Sequence, residues 1–144
     1  MIVPDVNVLV CAFRDEAPEH DRYAEWLNAA VEREPVGVAD AILSGFVRIV
    51  THPRITSAPA PIAAAIEFTR SLADAPSVQW LAGGATSWSQ FEALAAHDSG
   101  IRGNLVPDAY IAALCLANGA RLATRDRGFA RFPGLRTFDP GSSE

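Results

Sequence analysis

Three aspartates in this sequence have the surroundings of a metal-assisted phosphodiester cleavage site. Asp5 follows the apolar run MIVP, Asp108 precedes the apolar segment AYIAALCL, and Asp126 lies two residues beyond the run ARLAT. Three carboxylates at one place repel one another unless a cation binds them. Mg²⁺ and Mn²⁺ prefer hard oxygen ligands, and such an ion activates water and stabilises a phosphodiester under attack.

Asp108 and a fourth acid, Asp40, also have an ordinary structural explanation as helix caps. Asp108 lies near the start of a buried helix, where a carboxylate caps free amides and suits the helix dipole. Asp40 ends the predicted strand PVGVAD and is placed to cap the helix that follows it. Helix capping is the favoured role of Asp40. For Asp108, metal binding is favoured, because Asp5 and Asp126 are expected at the same edge of the sheet.

The elements that must position these acids alternate along the chain. We expect strands at MIVPD, PVGVAD, SVQWL, ARLAT and LRTF. Between them the apolar periodicity predicts helices at NVLVCAF, PEHDRYAEWLNAAVERE, 40–50, 61–73, TSWSQFEALAAHDSG (with Ser87 and Gln90 as a capping box) and from Asp108 to the Asn118–Gly119 stop. Alternating strands and helices indicate an α/β fold.

We therefore predict a single α/β domain over residues 1–139, followed by a flexible tail at 140–144. Its centre is a mostly parallel sheet of about four to five short strands flanked by helices. In open α/β sheets, ligands bind at the carboxyl ends of the strands. Asp5 and Asp126 follow two of these ends, and a short crossover could bring Asp108 to the same edge.

Composition excludes several other functions. All 12 basic residues of the 144 are arginine, which excludes phosphate-loop nucleotide binding and Schiff-base chemistry, since both need a lysine. It also argues against haloacid-dehalogenase-type phosphatases and response-regulator receivers. No apolar run is long enough to span a membrane, no signal peptide is evident, and Cys11 and Cys115 lie in apolar stretches. We expect a cytoplasmic protein with reduced cysteines and no membrane partner.

The net charge of −5 is unevenly distributed. Residues 15–34 carry seven acids and two arginines, whereas residues 121–136 carry five arginines and one acid. Because phosphate attraction depends on the local field, an acidic total does not exclude RNA. Arg125, Arg127 and Arg131 are candidate RNA contacts beside Asp126, and Arg48 is a weaker one. The alternative for each is a solvated side chain.

Aromatic residues and histidines give no second site. His20, His52 and His97 are scattered, without partners at metal-ligand spacing. The aromatic side chains at 26, 80, 88 and 91 occupy positions typical of a core, which argues against a base-stacking platform.

At this point the sequence resembles a known family. The stretches MIVPDVNVLV, NLVPDAYIAAL and LATRDRGFARFPGL are similar to the first, third and fourth acidic motifs of PIN-domain ribonucleases, in particular the VapC toxins of VapBC toxin–antitoxin systems. The resemblance implies a Mg²⁺- or Mn²⁺-dependent endoribonuclease inhibited by a cognate VapB-type antitoxin, and a homodimer. It makes metal ligands of Asp5, Asp108 and Asp126, with Asn7 and Thr124 as polar supports.

One departure from the family pattern weakens the catalytic prediction. Many PIN domains carry a glutamate early in the helix after the second strand, where this chain has Ser44 and Gly45. A site of three carboxylates should hold metal more weakly, with a second ion in doubt, unless Asp40 partly compensates. The alternative is a weak or inactive PIN-like module that acts by binding antitoxin or RNA.

Overall fold

The computed structural model describes residues 1–142. Its strands are β1 (Ile2–Pro4), β2 (Val36–Val38), β3 (Val78–Trp80), β4 (Arg121–Ala123) and β5 (Thr137–Phe138). Its α-helices are α1 (Val6–Phe13), α2 (His20–Arg33), α3 (Asp40–Thr51), α4 (Ile62–Ala73), α5 (Ala85–His97) and α6 (Leu105–Ala117). A short 3-10 helix, Arg127–Arg131, lies between β4 and β5.

The five strands form one parallel sheet in the order β3-β2-β1-β4-β5. Strands β1 and β2 are buried along their whole length, which explains why they are continuously apolar rather than alternating. The register pairs Pro4 of β1 with Ala123 of β4, so the two strands end side by side. The predicted α/β domain with a central parallel sheet is confirmed.

Helix α6 explains the apolar segment after Asp108. Six of its residues, Ala109 and the run from Ile111 to Cys115, are buried. The helix begins at Leu105, three residues earlier than predicted, and Pro107 lies in its first turn. Proline is tolerated there because first-turn amides have no partner within the helix. Asp108 therefore lies within the first turn, and it is not the cap.

The predicted capping box in α5 is wrong. The helix begins at Ala85 after Gly84, whose φ of 96° is open to glycine but costly for other residues. Ser87 is buried inside the helix, and its hydroxyl donates to the carbonyl of Ala82 at 3.4 Å. The glycine conformation, rather than the serine side chain, marks where this helix starts.

The assignment of all the tryptophans to the core is also wrong. Trp80 and Trp88 are 59% and 52% exposed, while Trp26 is half-buried against Phe138. Trp80 lies on β3, an edge strand with only one neighbour. Trp88 stacks on Phe91, with ring centroids 4.9 Å apart. The sequence pattern did not show which faces of β3 and α5 remain uncovered.

The predicted tail begins with a hydrogen-bonded turn. The amide of Gly141 donates to Asp139 Oδ1 at 2.8 Å, and Arg22 of α2 donates to the Gly141 carbonyl. Gly141 is buried, so the described chain stays packed against α2 to this point. Residues 143 and 144 of the predicted tail lie outside the described residues.

Over residues 1–142, no helix combines the length and the apolar character needed to cross a membrane.

Candidate active site

A cavity of about 380 Å³ at the carboxyl edge of the sheet brings together the three predicted acids, Asp5, Asp108 and Asp126. We call it the carboxylate cavity. Asp5 follows β1 and caps α1, Asp126 follows β4 and caps the 3-10 helix, and Asp108 enters from the first turn of α6. Asn7 and Arg48 also line it. The strand ends therefore converge as parallel-sheet geometry requires.

Asp5 is the buried acid of this cavity, at 4% exposure. One carboxylate oxygen accepts from the Val6 amide at 2.8 Å, and the other accepts from the Thr124 hydroxyl at 2.7 Å and the Asn7 amide nitrogen at 3.1 Å. Burial raises the pKa of Asp5 above its ordinary value, and these hydrogen bonds oppose that rise. The network holds a charge-bearing side chain in one orientation.

Thr124 and Asn7 connect the ends of β1 and β4. The buried Thr124 hydroxyl donates to Asp5 and accepts from the Asp126 amide at 3.0 Å and from Asn7 at 3.3 Å. The Asn7 carbonyl oxygen accepts from the Arg125 amide at 3.1 Å. Both residues thus lie where polar supports were expected, and they fix Asp126 relative to Asp5.

Asp108 differs from the other two acids. Its half-buried carboxylate accepts no hydrogen bond from any residue that the structure describes. Burial, reinforced by the negative charges of Asp5 and Asp126, raises the pKa of Asp108 to about 6. The residue at the cap position of α6 is Asn104. Helix capping does not explain this aspartate, and an uncompensated carboxylate favours binding of a cation.

The donor set of the cavity fits a hydrated divalent ion. Within residues 1–142, no three His, Cys, Asp or Glu side chains stand together closely enough to hold a metal ion by themselves. Mg²⁺, however, keeps several waters and needs only one or two protein carboxylates. A cavity of about 380 Å³ leaves room for such waters between the ion and Asp5, Asp108 and Asp126.

Helix α3 contributes no acid to the cavity. Asp40 is exposed, and its carboxylate accepts from the Ala41 amide at 2.8 Å instead of lining the cavity. Ser44 is exposed as well, whereas Ala41, Gly45 and Arg48 line the wall. The charged side chain that α3 contributes to the cavity is therefore the arginine at 48, and Ser44 and Gly45 occupy the place of the missing glutamate.

The predicted RNA-contacting arginines divide into two groups. Arg131 is paired with Asp98 at 2.8 Å. Arg125 reaches back to α1 and α2, with one guanidinium nitrogen 3.0 Å from the Cys11 sulfur and another 3.5 Å from Glu19. Arg48 and Arg127 are exposed, and their guanidinium groups form no hydrogen bond or ion pair with the described residues. These two have guanidinium groups free for a ligand.

The residues of β5 and those that follow it were not among the predicted site residues. A smaller cavity is lined by Thr137, Phe138, Asp139 and Ser142 together with the segment 124–127. Strand β5 pairs with β4, matching Phe138 to Ala123. Since carboxyl ends of parallel strands meet at one edge, the polar residues after LRTF were a usable signal for this location.

The chain matches a known protein family over most of its length. The sequence model of the PIN domain covers residues 2–135. The chain belongs to the PIN domain family. VapC ribonuclease Mb2897 of Mycobacterium bovis is 40% identical over 141 residues, covering 97% of this chain and 95% of that protein. Ribonuclease VapC33 of Mycobacterium tuberculosis is 34% identical over 142 residues, covering 97% and 98%. The resemblance drawn from the acidic motifs is confirmed.

Solved structures share the PIN fold over the full length of the chain. VapBC2 from Rickettsia felis, bound to a DNA fragment from its promoter, aligns with a TM-score of 0.70 at 19% identity and covers 96% of this chain and 98% of that one. VapBC-1 from nontypeable Haemophilus influenzae gives 0.69 at 16% identity, covering 99% and 100%. At these identities the likeness concerns the fold.

Proposed function

We propose that this PIN domain is a metal-dependent endoribonuclease of the VapC type. The observation that carries the proposal is the carboxylate cavity, in which Asp108 has no hydrogen-bond donor among the described residues and a pKa raised by burial and by its acidic neighbours. A cation relieves that repulsion. The relatives that share about a third or more of the sequence are named ribonucleases, which supports RNA as the substrate.

In this proposal Asp5, Asp108 and Asp126 hold Mg²⁺ or Mn²⁺, with waters completing the coordination. A bound ion of this kind lowers the pKa of water and offsets charge that builds on the phosphodiester. Thr124 and Asn7 hold the Asp5 carboxylate in place, and the Thr124 hydroxyl also fixes the backbone amide of Asp126. Arg48, at the opposite wall, orients the substrate phosphate through its guanidinium group.

Helix α3 supports a second candidate, a PIN module that acts by binding alone. Its cavity-lining residues include no acid, which weakens the attraction for metal. The enzyme remains the better proposal, because three carboxylates without a cation would repel the phosphates of a bound RNA and the relatives are named ribonucleases.

We further propose a cognate VapB-type antitoxin as the partner and a homodimer as the working form. Solved neighbours from Rickettsia felis and Haemophilus influenzae are VapBC assemblies. An antitoxin arginine reaching the carboxylate cavity would form charge-assisted hydrogen bonds with the acids and compete with metal. Antitoxin and RNA should then exclude each other, and a stable ternary complex would contradict a shared site.

The direct test is cleavage of RNA by the antitoxin-free protein. We expect cleavage of single-stranded RNA with Mg²⁺ or Mn²⁺ and none in excess EDTA, measured on denaturing gels with end-labelled RNA. Restoration of activity by the metal after EDTA treatment separates metal dependence from loss of fold. Binding of RNA without cleavage under every metal condition would favour the binding module instead.

Adding the missing acid should strengthen metal dependence. Gly45 lines the carboxylate cavity, and a Cβ there would lie 3.2 Å from Val6 Cγ2, so Val6 must shift slightly to admit Gly45→Glu. We expect this variant to lower the Mg²⁺ concentration for half-maximal cleavage by about threefold to tenfold, as an added charged ligand tightens metal binding. Metal titrations of the cleavage rate measure this.

Two further variants make that result interpretable. Ala41→Glu reaches the same cavity wall from one turn earlier in α3 and should lower the Mg²⁺ requirement in the same direction. Ser44→Glu adds the same charge on the exposed face of α3 and should leave the metal requirement unchanged. An equal effect at 44 and 45 would mean that general charge, rather than a ligand in the cavity, controls metal binding.

A further inference from the structure

A second cavity, of about 240 Å³, shares Asp126 with the carboxylate cavity. Its wall consists of residues 124–127, residues 137–139 and Ser142. We call it the flanking cavity. Because Asp126 lines both spaces, a ligand in the flanking cavity lies directly beside whatever the three carboxylates hold. Neither the family resemblance nor the acidic motifs assign a ligand to it.

The wall of the flanking cavity is held in place by hydrogen bonds to α2. Asp139 Oδ1 accepts from the Tyr23 hydroxyl at 2.7 Å and from the Gly141 amide at 2.8 Å. The Asp139 carbonyl accepts from the Ser142 amide at 3.1 Å. The carboxylate of Asp139 is thereby held by neutral donors and keeps its charge, so an anion in this cavity depends on an arginine for attraction. The cavity is thus formed before any ligand arrives.

Among the described residues, Arg127 supplies the unpaired cation of this wall. Its exposed guanidinium group forms no hydrogen bond or ion pair with the described part of the chain, whereas Arg125 is drawn toward Glu19 and Tyr23. A planar guanidinium matches the geometry of a phosphate group. On the same wall the exposed Thr137 offers a hydroxyl. A cation and a hydroxyl together suit the phosphate and the ribose of a nucleotide.

We propose that the flanking cavity binds the nucleotide next to the scissile phosphate of a single-stranded RNA, with Arg127 on the phosphate of that nucleotide. The proposal rests on the ribonuclease function proposed above. The strand crosses Asp126, with the reacting phosphate in the carboxylate cavity and its neighbour in the flanking cavity. A concave space of this size admits an unpaired nucleotide, whereas the bases of a duplex are stacked and paired away from it.

The test measures binding of RNA of increasing length to a protein that does not cut it. The probes are end-labelled oligouridylates of two, four and six nucleotides and a short RNA duplex, titrated by fluorescence anisotropy against Asp108→Asn protein, with RNA integrity checked afterwards. The same titrations are run on Arg127→Ala and Arg136→Ala in that background. Arg136 is the matched control because it belongs to the same basic segment but donates to the Gly119 carbonyl.

We expect the affinity for RNA to rise when the probe is lengthened from two to four nucleotides. Arg127→Ala should remove most of that rise, lowering the affinity for the four-nucleotide probe about fivefold. The slope of log affinity against log salt should fall by about 0.7, the value for one phosphate contact on a single strand. Arg136→Ala should change neither the length dependence nor the slope, and the duplex should bind more weakly.

Other results separate this proposal from the nuclease itself. Equal effects of Arg127→Ala and Arg136→Ala, or affinity independent of length, would overturn the flanking site even if the parent protein cleaves RNA. Conversely, an Arg127-dependent length effect in a protein that cleaves nothing with Mg²⁺ or Mn²⁺ would support the flanking site and overturn the nuclease.

Discussion

Asp108→Asn should lower the rate of RNA cleavage by about 100-fold or more while making the metal-free protein more stable at neutral pH. Asparagine keeps the size of the side chain but removes the charge that the proposed metal site requires. Removing that charge also relieves the burial of a charged group and its repulsion from Asp5 and Asp126, which together raise the pKa of Asp108 to about 6. A lower cleavage rate together with a higher free energy of unfolding would identify Asp108 as a residue kept for activity rather than for stability.

The stability gain should depend on pH in a defined direction. Because the folded protein holds the proton of Asp108 more tightly than the unfolded chain does, the parent loses stability as pH rises from about 4 through about 6. The variant has no such loss. The difference in free energy of unfolding should therefore be near zero at pH 4 and reach about 1 kcal/mol above pH 7, since solvent screens a half-buried group. Urea titrations in EDTA measure it.

Two comparisons sharpen this prediction. Asp40→Asn removes an exposed carboxylate outside the carboxylate cavity and should leave the cleavage rate close to that of the parent. Excess Mg²⁺ should stabilise the parent more than Asp108→Asn, since a ligand stabilises the form that binds it. Parent-like cleavage by Asp108→Asn would show that Asp108 has no part in the chemistry.

Thr124→Val should have the largest effect on the framework of the site. The Thr124 hydroxyl makes three hydrogen bonds in a buried position, to Asp5, Asn7 and the Asp126 amide. Valine has nearly the same shape but leaves those partners unsatisfied. We expect a loss of about 2 kcal/mol in the free energy of unfolding and a melting temperature lower by about 5 °C. Calorimetry measures both.

A readout beyond stability identifies the role of Thr124 in the site. Its hydrogen bond opposes the rise in the pKa of Asp5, so its removal raises that pKa further. The acid limb of the cleavage-rate profile should then move to higher pH, and the stability deficit should grow as pH rises. Thr124→Ser retains the hydroxyl and should restore the profile. A valine variant that is less stable but has the parent's pH profile would limit Thr124 to a packing role.

The convergence of the acids was predictable because it follows from sheet geometry. Asp5 and Asp126 follow apolar runs, and adjacent parallel strands place such residues at one edge. Asp108 was harder, because capping and metal binding both put an aspartate near a helix start. Only the structure shows that Asp108 lies inside the first turn and lacks a donor among the described residues.

Partners distant in sequence account for what could not be predicted. Arg131 pairs with Asp98, 33 residues away, and Arg125 approaches Cys11, 114 residues away. Local pattern shows that such arginines are polar and accessible, but it does not show which acid or aromatic ring each one meets. The exposure of Trp80 and Trp88 was unpredictable for the same reason, because it depends on which faces of β3 and α5 the rest of the chain leaves uncovered.

The pairing of β1 with β4 also sets when the site can first exist during synthesis. Strand β1 leaves the ribosome more than 110 residues before its neighbour β4, which Thr124 and Asp126 follow. Contacts of such long sequence separation form late. A ribosome-bound chain lacking these residues has Asp5 without its hydroxyl donor and one carboxylate too few. In the proposed nuclease, cleavage of RNA therefore cannot begin before β4 and Asp126 have left the ribosome.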